Sequence, residues 1–165
     1  MFHRIRASVI VLDGGQVLLV EACAPETRPS VGGMTGRYWN FPGGGLENDE
    51  SVLEGAVRET REETGLEIVA ERVVYVQEVV HRLSPPDARE RPIRQVELYV
   101  LAASYRGEIA VTDPDVLAAR FLSRDEVASV AAYPPMLADL GALWAWRDLT
   151  DGFPEVRFLG THYVG

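Results

Sequence analysis

Gly44-Gly45-Leu46-Glu47-Asn48-Asp49-Glu50-Ser51-Val52-Leu53-Glu54-Gly55-Ala56-Val57-Arg58-Glu59-Thr60-Arg61-Glu62-Glu63-Thr64-Gly65-Leu66 is the stretch on which the reading of the chain turns. Ser51, with Glu54 three residues on, has the signature of a capping box, in which each side chain bonds the other's backbone N–H. Val52, Leu53, Ala56 and Val57 recur at helical spacing, and Thr60 continues their face. Gly65 stands where a left-handed cap is expected, so a helix is predicted over Ser51 to Thr64. On that helix Glu59, Glu62 and Glu63 fall at i, i+3 and i+4 and share one face within roughly 100°. Their arc adjoins the apolar face, where three half-buried like charges repel one another. A divalent cation relieves the conflict, and hard carboxylate oxygens suit Mg2+ or Mn2+. Three glutamates alone would more simply be a solvated acidic face. The preceding Gly43-Gly44-Gly45 shifts the balance, because residues without side chains let backbone groups approach an ion or a phosphate closely.

Working outward, Ile5 to Leu12 is rich in β-branched residues and reads as a strand, with Asp13-Gly14-Gly15 as the turn into a hairpin partner over Gln16 to Glu21. Ala22 to Arg37, with its Pro and Gly residues, reads as a loop. Tyr38 to Phe41 is a short aromatic strand stopped by Pro42 and the glycines. Leu66 to Val80 is predicted to form one or two strands, Arg82 to Arg94 a loop, and Gln95 to Tyr105 and Leu117 to Leu122 two more strands. Helices are predicted over Arg124 to Ala132 and from Pro134 to about Arg147, and the last residues are short strand or coil. Without regular βαβ units, the pattern favours a mixed α/β sandwich over a doubly wound sheet.

The 165 residues fit one domain over 1–165. Formal net charge is −9, from 25 acidic and 16 basic residues, which argues against nucleic acid as a partner. No segment is apolar for long enough to span a bilayer, and the basic N-terminus lacks a signal-peptide core. The lone Cys23 excludes an internal disulfide, and a cytoplasmic location is expected. A homodimer is compatible with the sequence.

Gly44 to Leu66 resembles the Nudix box, G-x5-E-x7-R-E-U-x-E-E-x-G-U with U aliphatic. It is met here by Gly44, Glu50, Arg58-Glu59-Thr60, Glu62-Glu63 and Gly65-Leu66 with every spacing kept; Thr60 is the one departure. The resemblance extends more loosely to Tyr38–Gly45 and to Arg120–Val127. It implies a Nudix-type α/β/α sandwich with a mixed sheet and a loop-helix-loop box. The implied reaction is metal-dependent hydrolysis of a diphosphate linkage in a small-molecule nucleotide. Carried over residue by residue, Glu59, Glu62 and Glu63 would bind Mg2+ or Mn2+ together with the Gly44 carbonyl, and Glu50 with Arg58 would orient them. The frequent site of a further acid, just before the aromatic of the late strand, holds Ala118-Ala119-Arg120-Phe121. Asp115, Asp113 and Glu97 are therefore candidates for an outside general base beside Glu59. The positions that often separate subfamilies hold His81, Arg82, Leu83 and Ser84 and fit neither ADP-ribose hydrolases nor dinucleoside polyphosphate hydrolases. Arg37, Arg82 and Arg94 are candidates for substrate contact. The Arg- and Pro-rich loop over 82–94 favours ADP-ribose or another nucleotide sugar over nucleoside triphosphates. The rival expectation is a non-catalytic Nudix-fold module that senses a nucleotide; such modules commonly lose box acids, and this chain keeps all of them.

Overall fold

A computed structural model of the chain describes residues 2–24, 34–81, 93–134, 137 and 156–164. The N-terminal apolar run does not form one strand. Strand β1 (Phe2–Ile10) lies in one sheet and β2 (Leu12–Asp13) in another, with Val11 between them. Gly14 and Gly15, at φ +53° and +84°, make a turn that few other residues tolerate. That turn folds β2 onto β3 (Gln16–Ala24), pairing Leu12 with Val17, and so draws the chain out of the first sheet at Val11.

The first sheet has the order β10 (Arg157–Val164), β6 (Glu67–His81), β7 (Ile93–Arg106), β1 and β5 (Gly43–Gly45). It is mixed: β1 runs parallel to β7 and antiparallel to β5, and β10 runs parallel to β6. The second sheet contains β2, β3, β4 (Gly36–Asn40) and β9 (Ala132–Tyr133), with β8 (Ala118–Ser123) on the other side of β3. Helix α1 (Val52–Thr64) and the short α2 (Arg124–Ala128) complete the described elements. The expected mixed α/β sandwich is therefore the observed architecture.

Two core clusters hold these layers. Ile10, Tyr99 and Leu101 from one face of the first sheet pack with Val17, Leu19 and Leu122 of the second. Ala7, Val9 and Val100, from the opposite face, pack with Ala56 of α1 and with Leu18. Removing a buried leucine such as Leu19 or Leu101 from such a core costs about 2–5 kcal/mol.

Several boundaries differ from the sequence reading. Ala22, Cys23 and Ala24 continue β3, because Tyr38, Arg37 and Gly36 pair with them, so the expected loop shortens at both ends. The glycines expected to stop the chain instead form edge strand β5. Ile93 and Arg94 belong to β7, not to the preceding loop. The second predicted helix stops at Ala128: the Ser129 hydroxyl donates to the Glu126 carbonyl, and the chain then pairs Ala132 with Trp39 in β9. The final residues form β10 beside β6. Leu53 and Val57, counted on the apolar face of α1, are exposed. The loop over 82–92 and most of the helix predicted from Pro134 fall outside the described residues.

Candidate active site

Helix α1 starts and ends as its sequence dictates. The Ser51 hydroxyl accepts from the Glu54 N–H at 3.3 Å, and the Glu54 carboxylate accepts from the Ser51 N–H at 2.8 Å. Such a cap contributes about 1 kcal/mol. Gly65, at φ +75°, closes the other end by donating to the Arg61 carbonyl. Thr60, the departure from an aliphatic position, is fully buried; its hydroxyl donates to the Ala56 carbonyl at 2.8 Å, so no polar atom is stranded.

Arg58 organises the charges on this helix. Its Nε and Nη2 donate to the two oxygens of Glu50 at 2.9 and 2.6 Å. Its Nη1 donates to Glu59 at 2.8 Å and to Glu62 at 3.1 Å, and Nη2 also reaches the Gly45 carbonyl at 3.2 Å. Hydrogen bonds from Arg58, and then from the Glu47 N–H, hold the Glu50 carboxyl down to about 2. Glu63 behaves oppositely. Burial pushes its carboxyl up to about 7, although Arg6 and the hydrogen bond from the Gly43 N–H, 2.8 Å long, favour the charged form.

The three glutamates thus share a face, as the helical wheel requires, yet their carboxylates are drawn apart. Glu59 and Glu62 turn to Arg58, while Glu63 turns to Gly43. Among the described residues no three acidic, histidine or cysteine side chains converge closely enough to hold an ion as they stand. Arg58 supplies the neutralising charge in this arrangement. Glu62 keeps 48 % of its side chain in solvent against 14 % for Glu59, so it can swing most freely.

Strand β5 brings the backbone to these acids. The Leu46 N–H donates to the Ile5 carbonyl and the Val9 N–H to the Pro42 carbonyl, with Ala7 paired to Gly44 between them. Antiparallel alternation then turns the Gly44 peptide groups toward β1. Gly43 and Gly45 face the free edge, where the Gly43 N–H meets Glu63 and the Gly45 carbonyl meets Arg58. The backbone oxygen expected from Gly44 is thereby turned inward, and the oxygens on the α1 side are those of its neighbours. Gly44 serves differently: a Cβ there would lie 2.2 Å from Glu59 Oε1.

The other candidates are scattered. Glu97 is buried, accepting from the Ser8 hydroxyl at 2.6 Å and lying 3.4 Å from Arg6 Nε. Asp113 and Asp115 share a turn in which the Asp115 N–H donates to Asp113 at 2.8 Å. That segment packs against the end of α1 through the Ala110 N–H and the Thr64 carbonyl, and the charge of Asp113 is felt at Glu63. Arg37 is exposed and pairs with Glu21 at 3.6 Å, and Arg94 is bound to Glu78. Arg82 lies outside the described residues. Two residues absent from the sequence-based candidates, Arg4 and Arg6, lie on β1 beside the site, and their charges are felt by Glu59 and Glu63. The signal was available: Arg4, Arg6 and Ser8 alternate with Ile5, Ala7 and Val9, a period-2 polar row in a strand.

A helix of carboxylates thus lies beside a glycine edge on a mixed sandwich. The chain belongs to the Nudix family: the family's NUDIX domain model matches residues 2–140. It is a pyrophosphohydrolase of that family, whose members act on small-molecule nucleotides with divalent cations. The chain is similar to the E. coli ORF135 protein, at 23% identity and TM-score 0.60 over 93% of this chain and 96% of that one. It is also similar to a MutT NUDIX hydrolase from Burkholderia pseudomallei, at 26% identity and TM-score 0.56, covering 76% and 87% of the two chains. An ADP-ribose pyrophosphatase from Streptococcus suis aligns with TM-score 0.55 at 19% identity, covering 96% and 98%. Among the described residues no helix is long and apolar enough to cross a membrane.

Proposed function

We propose that the chain hydrolyses the diphosphate linkage of a nucleoside diphosphate derivative, with Glu59, Glu62 and Glu63 holding Mg2+ or Mn2+. The observation that carries this reading is the half-buried Glu63 reaching the glycine edge at Gly43, with Glu59 and Glu62 on the same face of α1. The donor set fits: it consists of hard oxygens only, and a carboxylate penalised by burial gains from a cation beside it. The backbone oxygen available on the α1 side comes from Gly43 rather than Gly44. A divalent cation bound there would neutralise diphosphate oxygens and lower the pKa of a bound water.

The chain's own residues divide the remaining work. Arg58, gripped by Glu50, positions Glu59 and Glu62 and releases them when a stronger cation competes. The water's proton goes to a carboxylate, either Glu59 or the Asp113–Asp115 turn at the end of α1. Glu97 is the weakest of the outside candidates, because its oxygens are already engaged by Ser8 and Arg6. ADP-ribose or another nucleotide sugar is preferred over nucleoside triphosphates, on the strength of the Arg-rich segment over 82–94.

The test is hydrolysis of ADP-ribose, other nucleotide sugars, dinucleoside polyphosphates and nucleoside triphosphates in Mg2+ or Mn2+, with Glu63→Gln as the blank. Cleavage of a nucleotide sugar that the blank lacks is expected. Cleavage of none of these compounds, or equal cleavage by the blank, would overturn the proposal.

A further inference from the structure

The free edge of β5 separates charges of opposite sign. Successive residues of a strand face opposite ways, so Gly44 and Gly45 open onto different sides of the sheet. On one side a Cβ at Gly44 would meet the Glu59 carboxylate at 2.2 Å, and on the other a Cβ at Gly45 would meet Arg4 Nε at 2.8 Å. Two charged side chains therefore lie against bare backbone, back to back across an edge strand one peptide thick.

Arg4 and Arg6 are both half-buried on the same face of β1, but they are not equivalent. Arg6 is held by Ser8 at 3.2 Å and lies 3.4 Å from the fully buried Glu97, itself bound by the Ser8 hydroxyl. Among the described residues Arg4 has neither a hydrogen bond nor an ion pair; burial and the Arg6 charge disfavour its charged form, and the charges of Glu59 and Glu97, which do not contact it, offset this only in part. A half-buried guanidinium whose N–H groups have no acceptor of their own is costly unless an anion completes the site, and its planar fork suits two oxygens of one phosphoryl group.

We propose that Arg4 binds the phosphoryl group of the substrate diphosphate that lies across the β5 edge from Glu59, making it a substrate-binding residue for diphosphates as against monophosphates. This rests on the functional reading above. A diphosphate lying along the Gly43–Gly45 edge meets the carboxylates of α1 on one side and the guanidinium of Arg4 on the other. Gly45 is required for the second contact, since any side chain there would displace Arg4.

The test is calorimetric titration of the full chain with ADP and with AMP in Mg2+, for wild type, Arg4→Gln and Arg4→Lys, with Tm confirming the fold of each variant. Loss of a charge-assisted contact to phosphate should weaken ADP about 10- to 100-fold in Arg4→Gln and AMP less than about threefold. Arg4→Lys should recover part of the loss, since it restores the charge but not the fork. Unchanged ADP affinity in Arg4→Gln, or equal weakening of ADP and AMP, would overturn the role of Arg4 while leaving cleavage by the wild type untouched. A wild type that binds neither nucleotide and cuts none of the substrates above would overturn the functional reading and this role with it.

Discussion

Arg58 and Glu50 meet side by side, Nε to Oε2 at 2.9 Å and Nη2 to Oε1 at 2.6 Å, joining the loop before α1 to the second turn of the helix. The folded-state Glu50 carboxyl lies near 2, below its ordinary 4.5. The pair's stabilisation is therefore fully present above about pH 4.5 and is lost as pH falls from there toward 2. Glu50→Gln should lower Tm by roughly 2–4 °C at pH 7, for a loss of about 1 kcal/mol. Thermal melts of both proteins between pH 7 and pH 2.5 should show the difference closing in the acid range. A difference independent of pH would mean that the ion pair does not hold the loop.

Gly43 and Gly44 are expected to fail in different ways when replaced by Ala. At Gly43 a Cβ would stand 2.1 Å from the Ala7 carbonyl oxygen, with φ at +150°, so backbone must move. Gly43→Ala should destabilise by about 2–4 kcal/mol. At Gly44 the obstacle is the end of the Glu59 side chain, which can swing aside. Gly44→Ala should leave Tm within about 3 °C of wild type and lower turnover roughly 10- to 100-fold, because a misplaced ligand costs rate rather than fold. Melting curves and kcat for the two variants check this; matching behaviour would contradict the separate roles.

Glu97 is expected to act in stability. It is buried among Arg6, Ser8 and Tyr133, and removing it leaves the half-buried Arg6 guanidinium without its carboxylate. Glu97→Ala should cost about 3 kcal/mol, readable by urea denaturation. Its kcat per folded molecule should fall less than that of Asp113→Asn or Asp115→Asn. If kcat in Glu97→Gln, a milder change, collapses while both Asp variants stay active, the proton acceptor is Glu97.

Much of this was legible in the sequence wherever a local rule governed. Ser51, Glu54 and Gly65 fixed the limits of α1, and the Glu59-Glu62-Glu63 spacing fixed their common face. What lay beyond local pattern came from pairing. Whether Ala22–Ala24 is loop or strand depends on Arg37 and Tyr38 arriving beside it, and whether three glycines are a turn or an edge strand depends on β1. The direction of the Gly44 carbonyl follows from register, which a sequence does not display. Arg4 and Arg6 were visible as alternating charges, but only the adjacency of β1 and β5 ties them to α1. Of the arginines expected to touch substrate, Arg37 beside Tyr38 pairs with Glu21, and Arg94 from the Arg-rich segment pairs with Glu78.

A cation held by Glu59, Glu62 and Glu63 must stabilise the folded chain, because the unfolded chain does not assemble the three carboxylates. The most direct test is the Tm of the wild type and of Glu63→Gln, each with and without Mn2+. The expected result is a rise of several degrees in the wild type and less than half that rise in Glu63→Gln. Equal rises in the two proteins would place the ion elsewhere and contradict the assignment of the site.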